Sequence, residues 1–310
     1  MSEVIARVEN RVGQITLNRP QAINALSSAM IDQMTSVLDE WAVDDNIEQV
    51  IVDGAGRGFC SGADVREMRA MIVDASGDPV DFLAREYTLD RLIATYPKPY
   101  TARTHGIVMG GGMGISIHGS ARVVTRATAL AMPETIIGLW PDVGMTYHLS
   151  RLPGEIGTYM GLTGESITGE EAVRIGLADE LSDPANPPSD IPDRSWMEEH
   201  LAGDDIRAVM DRLENSEVPQ ARETARVIRL RSPMSVAVTL QALRRAAHMT
   251  VDEVFAQDLR LGAFFCAWPD FPEGIRAQLI DKDHNPHWTH SRVEDVTPAE
   301  MDRAFGQLSS

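Results

Sequence analysis

The sequence predicts an α/β fold followed by a helical C-terminal region, and three observations carry that prediction. Up to Ala131, short apolar runs of strand length alternate with longer segments whose apolar residues recur at helical spacing. Twice a strand-like run opens into a glycine-rich loop that leads into helical period, at residues 50–58 and 100–114. Beyond residues 183–194 (DPANPPSDIPDR), where proline and aspartate cannot continue a helix, the segments read helical.

Taken in order, residues 4–8 and 12–17 read as strands joined across residues 9–11. Asn18-Arg19-Pro20 then ends the pairing, because proline cannot donate to a ladder. From Ser27 the apolar positions Met30, Ile31, Met34, Val37, Leu38 and Trp41 recur at helical spacing, with Ser27 and Ser28 available as caps. Residues 50–52 make a buried strand, Gly54 to Gly58 a loop, and residues 64–73 a helix. A helix over 81–95, a break at Lys98-Pro99, a strand over 100–103 and a glycine-rich stretch over 105–114 leading into 115–118 repeat the same grammar. Residues 122–125 and 129–131 add two short strands, and the alternation implies a largely parallel sheet. Helices are expected over 204–213, 219–230, 236–246, 251–265 and 272–280. The chain therefore divides into a core with the active site at residues 1–183 and a helical region at 184–310.

The 310 residues allow one large domain or a core with an appendage, and 43% apolar residues suffice for a real core. Acidic residues number 46 against 28 basic ones, a formal charge of −18, which excludes a broad nucleic-acid or anionic-membrane surface. Only Lys98 and Lys282 are lysines, so an anionic ligand needs a local arginine site. Two cysteines, Cys60 and Cys266, and the absence of a signal-like N-terminus point to a reducing, cytoplasmic location. No apolar run approaches the ~20 residues that span a bilayer.

Four constellations are candidates for chemistry. The glycines at 110–112 and 114 let a backbone approach a ligand closely but fit neither GxGxxG nor GxxxxGK[ST]; a tight turn or a close helix-to-strand contact explains them equally well. Gly114-Ile115-Ser116-Ile117-His118 falls short of GxSxG, since its last glycine is missing and no strand leads into the serine; Ser116 reads as helix packing. His284, His287 and His290, interrupted by Pro286, read as a solvated loop rather than a metal site. Met132 to Gly144 (MPETIIGLWPDVG) is more informative. Glu134 and Asp142 sit among apolar residues, where desolvation favours proton transfer near neutral pH. Two surface or helix-capping carboxylates in an acidic chain would give the same pattern.

These residues resemble the crotonase (enoyl-CoA hydratase/isomerase) superfamily. The likeness is carried by Asn18-Arg19-Pro20 with Asn24-Ala25-Leu26, by Phe59-Cys60-Ser61-Gly62-Ala63-Asp64 and by the glycine run. A narrower likeness to the thioester-hydrolase branch rests on Glu86-Tyr87-Thr88-Leu89, Tyr96-Pro97-Lys98-Pro99-Tyr100, Ala131-Met132-Pro133-Glu134-Thr135, Pro141-Asp142-Val143-Gly144, Asp270-Phe271 with Glu273-Gly274, and Asp281-Lys282-Asp283. The resemblance implies a repeated ββα spiral core with a C-terminal helical region that mediates or blocks trimer contacts. It implies an acyl-CoA substrate and no cofactor or metal, with a trimer-based homo-oligomer one of the two outcomes for that region. It assigns the oxyanion hole to the Ala63 and Gly111 amides, catalysis to Glu134 and Asp142, and a hydrogen bond from a substrate 3-hydroxyl to Glu86. Hydratases of the superfamily carry a second glutamate where this chain has Gly114, which favours thioester cleavage of a short 3-hydroxyacyl-CoA over water addition. The alternatives are a hydratase or isomerase of another acyl-CoA and a silent CoA-binding protein. CoA phosphates need positive charge, for which Arg66 is the first candidate and Arg57 the second, against the alternative of solvated surface arginines.

Overall fold

The computed structural model describes residues 2–183 and 192–306, so most of the expected linker at 183–194 lies outside the described residues. Two compact units result, each discontinuous in sequence: Met1–Asp64, Asp81–Ala131 and Ser166–Ile191 form the first, and Val65–Val80, Met132–Glu165 and Pro192–Ser310 the second. A single boundary after residue 183 does not express this interleaving.

The first unit contains both sheets. Strands β1 (Val4–Glu9) and β2 (Val12–Leu17) form an antiparallel hairpin, in register from Val4 opposite Leu17 to Glu9 opposite Val12. Its two turn residues, Asn10 and Arg11, both have positive φ (51° and 64°), the geometry that matches strand twist in a two-residue hairpin. Gly13, Ile15 and Leu17 alternate onto the buried face of β2, and Gly13 is where the Trp41 ring lies: a Cβ there would sit 2.4 Å from the indole. Parallel strands β3 (Gln49–Gly54) and β4 (Tyr100–Arg103) follow. Strands β5 (Ile107–Met109), β6 (Ala121–Val124), β7 (Ala129–Ala131), β8 (Ile167–Thr168) and β9 (Glu180–Leu181) complete the set. The large sheet runs β1-β2-β3-β4-β6-β9, parallel beyond the first pair, and the small sheet runs β5-β7-β8.

Single bridges continue the small sheet backwards: Cys60 pairs with Val108 of β5, and Leu26 with Ala63. Each turn of chain thus gives one strand to the large sheet, one strand or bridge to the small one, and then a helix. β2, Leu26 and helix Ser28–Ala42 make one turn, and β4, β5 and helix Gly111–Ile117 another. This is the expected repeated ββα spiral. The Ser27 hydroxyl caps the first helix through the Met30 amide. Lys98, just before β4, donates its ammonium to the Trp41 and Asp44 carbonyls.

The second unit is helical. Helix Pro233–Ala246 buries eleven of its fourteen residues, and it packs on Met145–Leu149 and Ile156–Thr163. Ser232 caps it, with proline at the first helical position, where its missing N–H costs nothing. Thr250 with Glu253 forms a capping box at helix Val251–Cys266. The expected helix at 272–280 begins two residues earlier, as Asp270–Ile275, and widens into a π turn over Arg276–Ile280. Lys282, just beyond, is exposed with φ 56°. No described helix is long and apolar enough to cross a membrane.

Candidate active site

Within the first unit, the sequence motifs converge on one loop. Asn24 is fully buried with φ 54°; its side-chain amide donates to the Ala55, Gly58 and Phe59 carbonyls, and its oxygen accepts from the Arg19 amide. Arg19 in turn pairs with Asp64 at 2.7 Å. The two motifs therefore clamp both ends of the segment that carries Ala63. The Leu26 amide bonds the Gly62 carbonyl and the Asp64 amide bonds the Leu26 carbonyl, at 2.8 Å each, so the Ala63 N–H between them points elsewhere.

The glycine run packs against this segment. Gly110 and Gly62 have φ 52° and 106°, a region where a side chain is strained. A Cβ on Gly111 would lie 2.1 Å from Oε1 of Glu86 and 3.2 Å from the Ala63 nitrogen, and one on Gly112 would lie 2.6 Å from the Cys60 carbonyl. Gly111 opens its helix, so its N–H has no intrahelical partner. Neither the Ala63 nor the Gly111 amide has a protein acceptor among the described residues. Glu86, on helix Pro79–Ala94, is 1% exposed. Two free main-chain donors beside a buried carboxylate suit an anionic or polarised oxygen. Cys60, close by, is fully buried, and that burial pushes its thiol up to about 12, with Glu86 and Asp90 adding to the effect.

Within the second unit, Glu134 and Asp142 are both 6% exposed. Pro133 leads into the 3-10 turn Glu134–Ile136, and the Glu134 carbonyl accepts from the Ile137 and Leu139 amides. The next turn is pinned backbone to backbone. Gly138 has φ 80°, and a Cβ there would meet the Asp270 carbonyl at 2.4 Å, while one on Gly274 would meet the Ile137 carbonyl at 2.4 Å. The Asp270 carboxylate accepts from Ser232 Oγ (2.6 Å) and from the N–H and Oγ of Thr289 (2.8 and 2.7 Å). The Asp270-Phe271 and Glu273-Gly274 motif thus supports the carboxylate-bearing loop.

Sequence reasoning missed Asp258. It is wholly buried on helix Val251–Cys266, where Oδ1 accepts from Trp140 Nε1 (3.2 Å) and Oδ2 from the Gly144 amide (2.8 Å). Trp140 stacks on Phe265 with ring centres 5.2 Å apart. Burial pushes the Asp258 carboxyl well above its ordinary range, and the Asp142 charge pushes it further. The available signal was its register: Asp258 falls four residues after Val254 and three before Leu261, on the buried helix face, where a carboxylate requires partners.

The two candidate phosphate ligands fall in different units. Arg57, in the first, is exposed; Arg66, in the second, is exposed and donates to the Leu279 carbonyl at 2.7 Å. Ser116 is buried and donates back to the Gly112 and Met113 carbonyls, as expected of helix packing. The three histidines take separate partners: His284 meets Gln278, His290 meets Glu300, and the His287 amide meets Glu273. A cleft of about 760 Å³ in the first unit, lined among others by Asp53, Arg103, His105 and Glu180, contains none of the candidate residues.

The profile described as Enoyl-CoA hydratase/isomerase matches residues 12–189 and 180–305. The chain is 34% identical to the mitochondrial 3-hydroxyisobutyryl-CoA hydrolase of Gallus gallus, over all of this chain and 90% of that protein. It is 34% identical to the Homo sapiens protein of the same name, over 99% of this chain and 89% of that one. Among solved structures, an enoyl-CoA hydratase from Rhodobacter sphaeroides superimposes with TM-score 0.91 at 34% identity, covering 99% and 98% of the two chains. A carnitinyl-CoA dehydratase from Mycobacterium thermoresistibile does so with TM-score 0.90 at 36% identity, covering 98% and 96%. With a profile match over most of its length and full-length relatives above 30% identity, the chain belongs to the enoyl-CoA hydratase/isomerase family.

Proposed function

We propose that the protein hydrolyses the thioester of 3-hydroxyisobutyryl-CoA, or of a similarly short 3-hydroxyacyl-CoA, to the free acid and CoA. One observation carries the choice within the family: Gly114 stands, buried in helix Gly111–Ile117, where the resemblance expects the second glutamate of a hydratase, while Glu134 and Asp142 remain as buried carboxylates. The names of the vertebrate relatives support the same reading.

In this reading the thioester oxygen takes the Ala63 and Gly111 N–H bonds, and fixed donors stabilise the charge that develops on it. Glu134 removes a proton from water as the water oxygen attacks the carbonyl carbon; the tetrahedral oxyanion then collapses and the C–S bond breaks. Asp142 orients the acyl group or assists protonation of the departing thiolate. By the other route, the Glu134 carboxylate attacks the carbonyl carbon directly, the C–S bond breaks as CoA leaves as the thiolate, and water then opens the resulting anhydride to the free acid and the regenerated Glu134. Glu86 accepts a hydrogen bond from the 3-hydroxyl. Arg66, and secondarily Arg57, neutralise CoA phosphate charge. The reaction needs no cofactor or metal beyond the CoA of the substrate. A trimer-based homo-oligomer, a cytoplasmic location and a place in valine breakdown complete the proposal.

The test is release of free thiol from 3-hydroxyisobutyryl-CoA against hydration of crotonyl-CoA on one purified sample. Thiol release that Glu134→Gln abolishes supports hydrolysis. Hydration with the thioester intact would instead establish the hydratase reading, the activity for which the Rhodobacter sphaeroides relative is named. Oxygen-18 appearing in Glu134 after a single turnover in labelled water identifies the anhydride route.

A further inference from the structure

We propose that Asp258 is the positioning residue for Asp142, its carboxylate clamping both ends of the 140–144 turn. The inference rests on the role of Asp142 proposed above. The two donors to Asp258, Trp140 Nε1 and the Gly144 N–H, flank Asp142 by two residues on either side, and they use separate oxygens of one carboxylate. The turn between them is not one that relaxed chain adopts. Val143 has φ 50° and Gly144 φ 74°, and left-handed backbone is strained at a β-branched residue. Such strain persists only where surrounding structure holds it, and the Gly144 N–H bond supplies the hold directly after the strained residue. The Trp140 ring, stacked on Phe265, fixes the other end to the same helix.

Energetics make a bystander role costly. A fully buried carboxylate is expensive unless its hydrogen bonds repay the lost water. Asp142 adds like-charge repulsion. An apolar residue at this helix position would support packing at lower cost, so placing the turn is what the carboxylate contributes.

The experiment measures kcat and KM for thiol release from 3-hydroxyisobutyryl-CoA with full-length Asp258→Ala, Asp258→Asn, Asp142→Asn and the double variant Asp142→Asn/Asp258→Ala. A displacement on the order of 1 Å at a reacting group costs roughly 100-fold. Asp258→Ala should therefore lower kcat by about that factor with KM within about threefold. Asp258→Asn, which sets a donor against one of the two N–H groups, should lower kcat by roughly tenfold. In the Asp142→Asn background, Asp258→Ala should have no further effect on kcat, because the residue it positions is already disabled. Glu253→Ala weakens the cap of the same helix and should lower the melting temperature while leaving kcat unchanged.

If Asp258→Ala does not fold, Asp258→Asn and Trp140→Phe, which keeps the stacked ring and deletes one donor, carry the same test. Wild-type kcat in folded Asp258 variants, with Asp142→Asn impaired, would overturn the inference and leave the proposed function standing. Equal losses from Asp258→Ala in both backgrounds would overturn it too. Wild-type turnover by Asp142→Asn would instead remove Asp142 from the proposed mechanism, and the positioning role with it.

Discussion

The two units build their candidate chemistry in opposite ways. The first offers main-chain N–H groups at Ala63 and Gly111, and its side chains serve to bring that backbone into place: Asn24 and Arg19 hold the loop, and glycines permit the close approach. The second offers the side chains Glu134 and Asp142, and its backbone is held by buried carboxylates at Asp258 and Asp270. A backbone donor survives most substitutions at its own residue but not the loss of space around it. A carboxylate tolerates no change of its own chemistry but survives shifts that its supports absorb. The first unit should therefore be most sensitive to added volume, and the second to lost charge.

The largest expected effect tests the second half of that contrast. Glu134→Gln keeps shape and removes the carboxylate proposed as base or nucleophile, and should lower kcat by roughly 10²–10⁴ in the thiol-release assay while leaving the circular dichroism spectrum unchanged. Next is the first half. Gly111→Ala puts a methyl group where Glu86 Oε1 lies and should cost about 10²–10³ in kcat, whereas Ala63→Gly, which keeps its N–H, should stay within about threefold. Equal losses from these two variants would break the contrast.

Two further predictions concern stability alone. Gly138→Ala forces a side chain into left-handed backbone against the Asp270 carbonyl, and should cost about 1–3 kcal/mol by urea denaturation. The smallest effect is electrostatic. Arg229 makes two 2.7 Å bonds to Glu294 and holds its carboxyl down at about 2 from an ordinary 4.5. A folded-state value below the unfolded one means stability that is present above pH 4.5 and lost as pH falls from there to about 2. Because the pair is partly solvated, Glu294→Gln should cost under about 1 kcal/mol at neutral pH and should flatten the melting-temperature curve across that acid window.

Much of the scaffold was legible because it obeys local periodicity: the hairpin, the Ser27-capped helix and the strands at 100–103 and 129–131 all form where the pattern puts them. What was not legible has physical causes. β8 and β9 have two residues each, too few for a period, and β5 hides inside a glycine stretch because its pairing comes from β7, a distant segment. Helix Ile156–Thr163 is buried over nearly its whole surface and so shows no apolar stripe. The Glu134 and Asp142 segment stood out by its apolar surroundings, yet its support by Asp258 spans 114 to 118 residues of sequence, beyond any local signal. Catalytic roles came from the resemblance, since spacing alone favoured two surface or capping carboxylates.

The scarcity of lysine, set against the structure, makes the molecule unusually addressable. Lys98 spends its ammonium on the Trp41 and Asp44 carbonyls, and Lys282 stands exposed beyond the π turn. An amine-reactive dye or a surface tether used sparingly at mildly alkaline pH should therefore attach, among side chains, at Lys282 alone. Apart from the chain's α-amine, which reacts at the same pH, the label then occupies one site of the natural sequence, with no cysteine introduced.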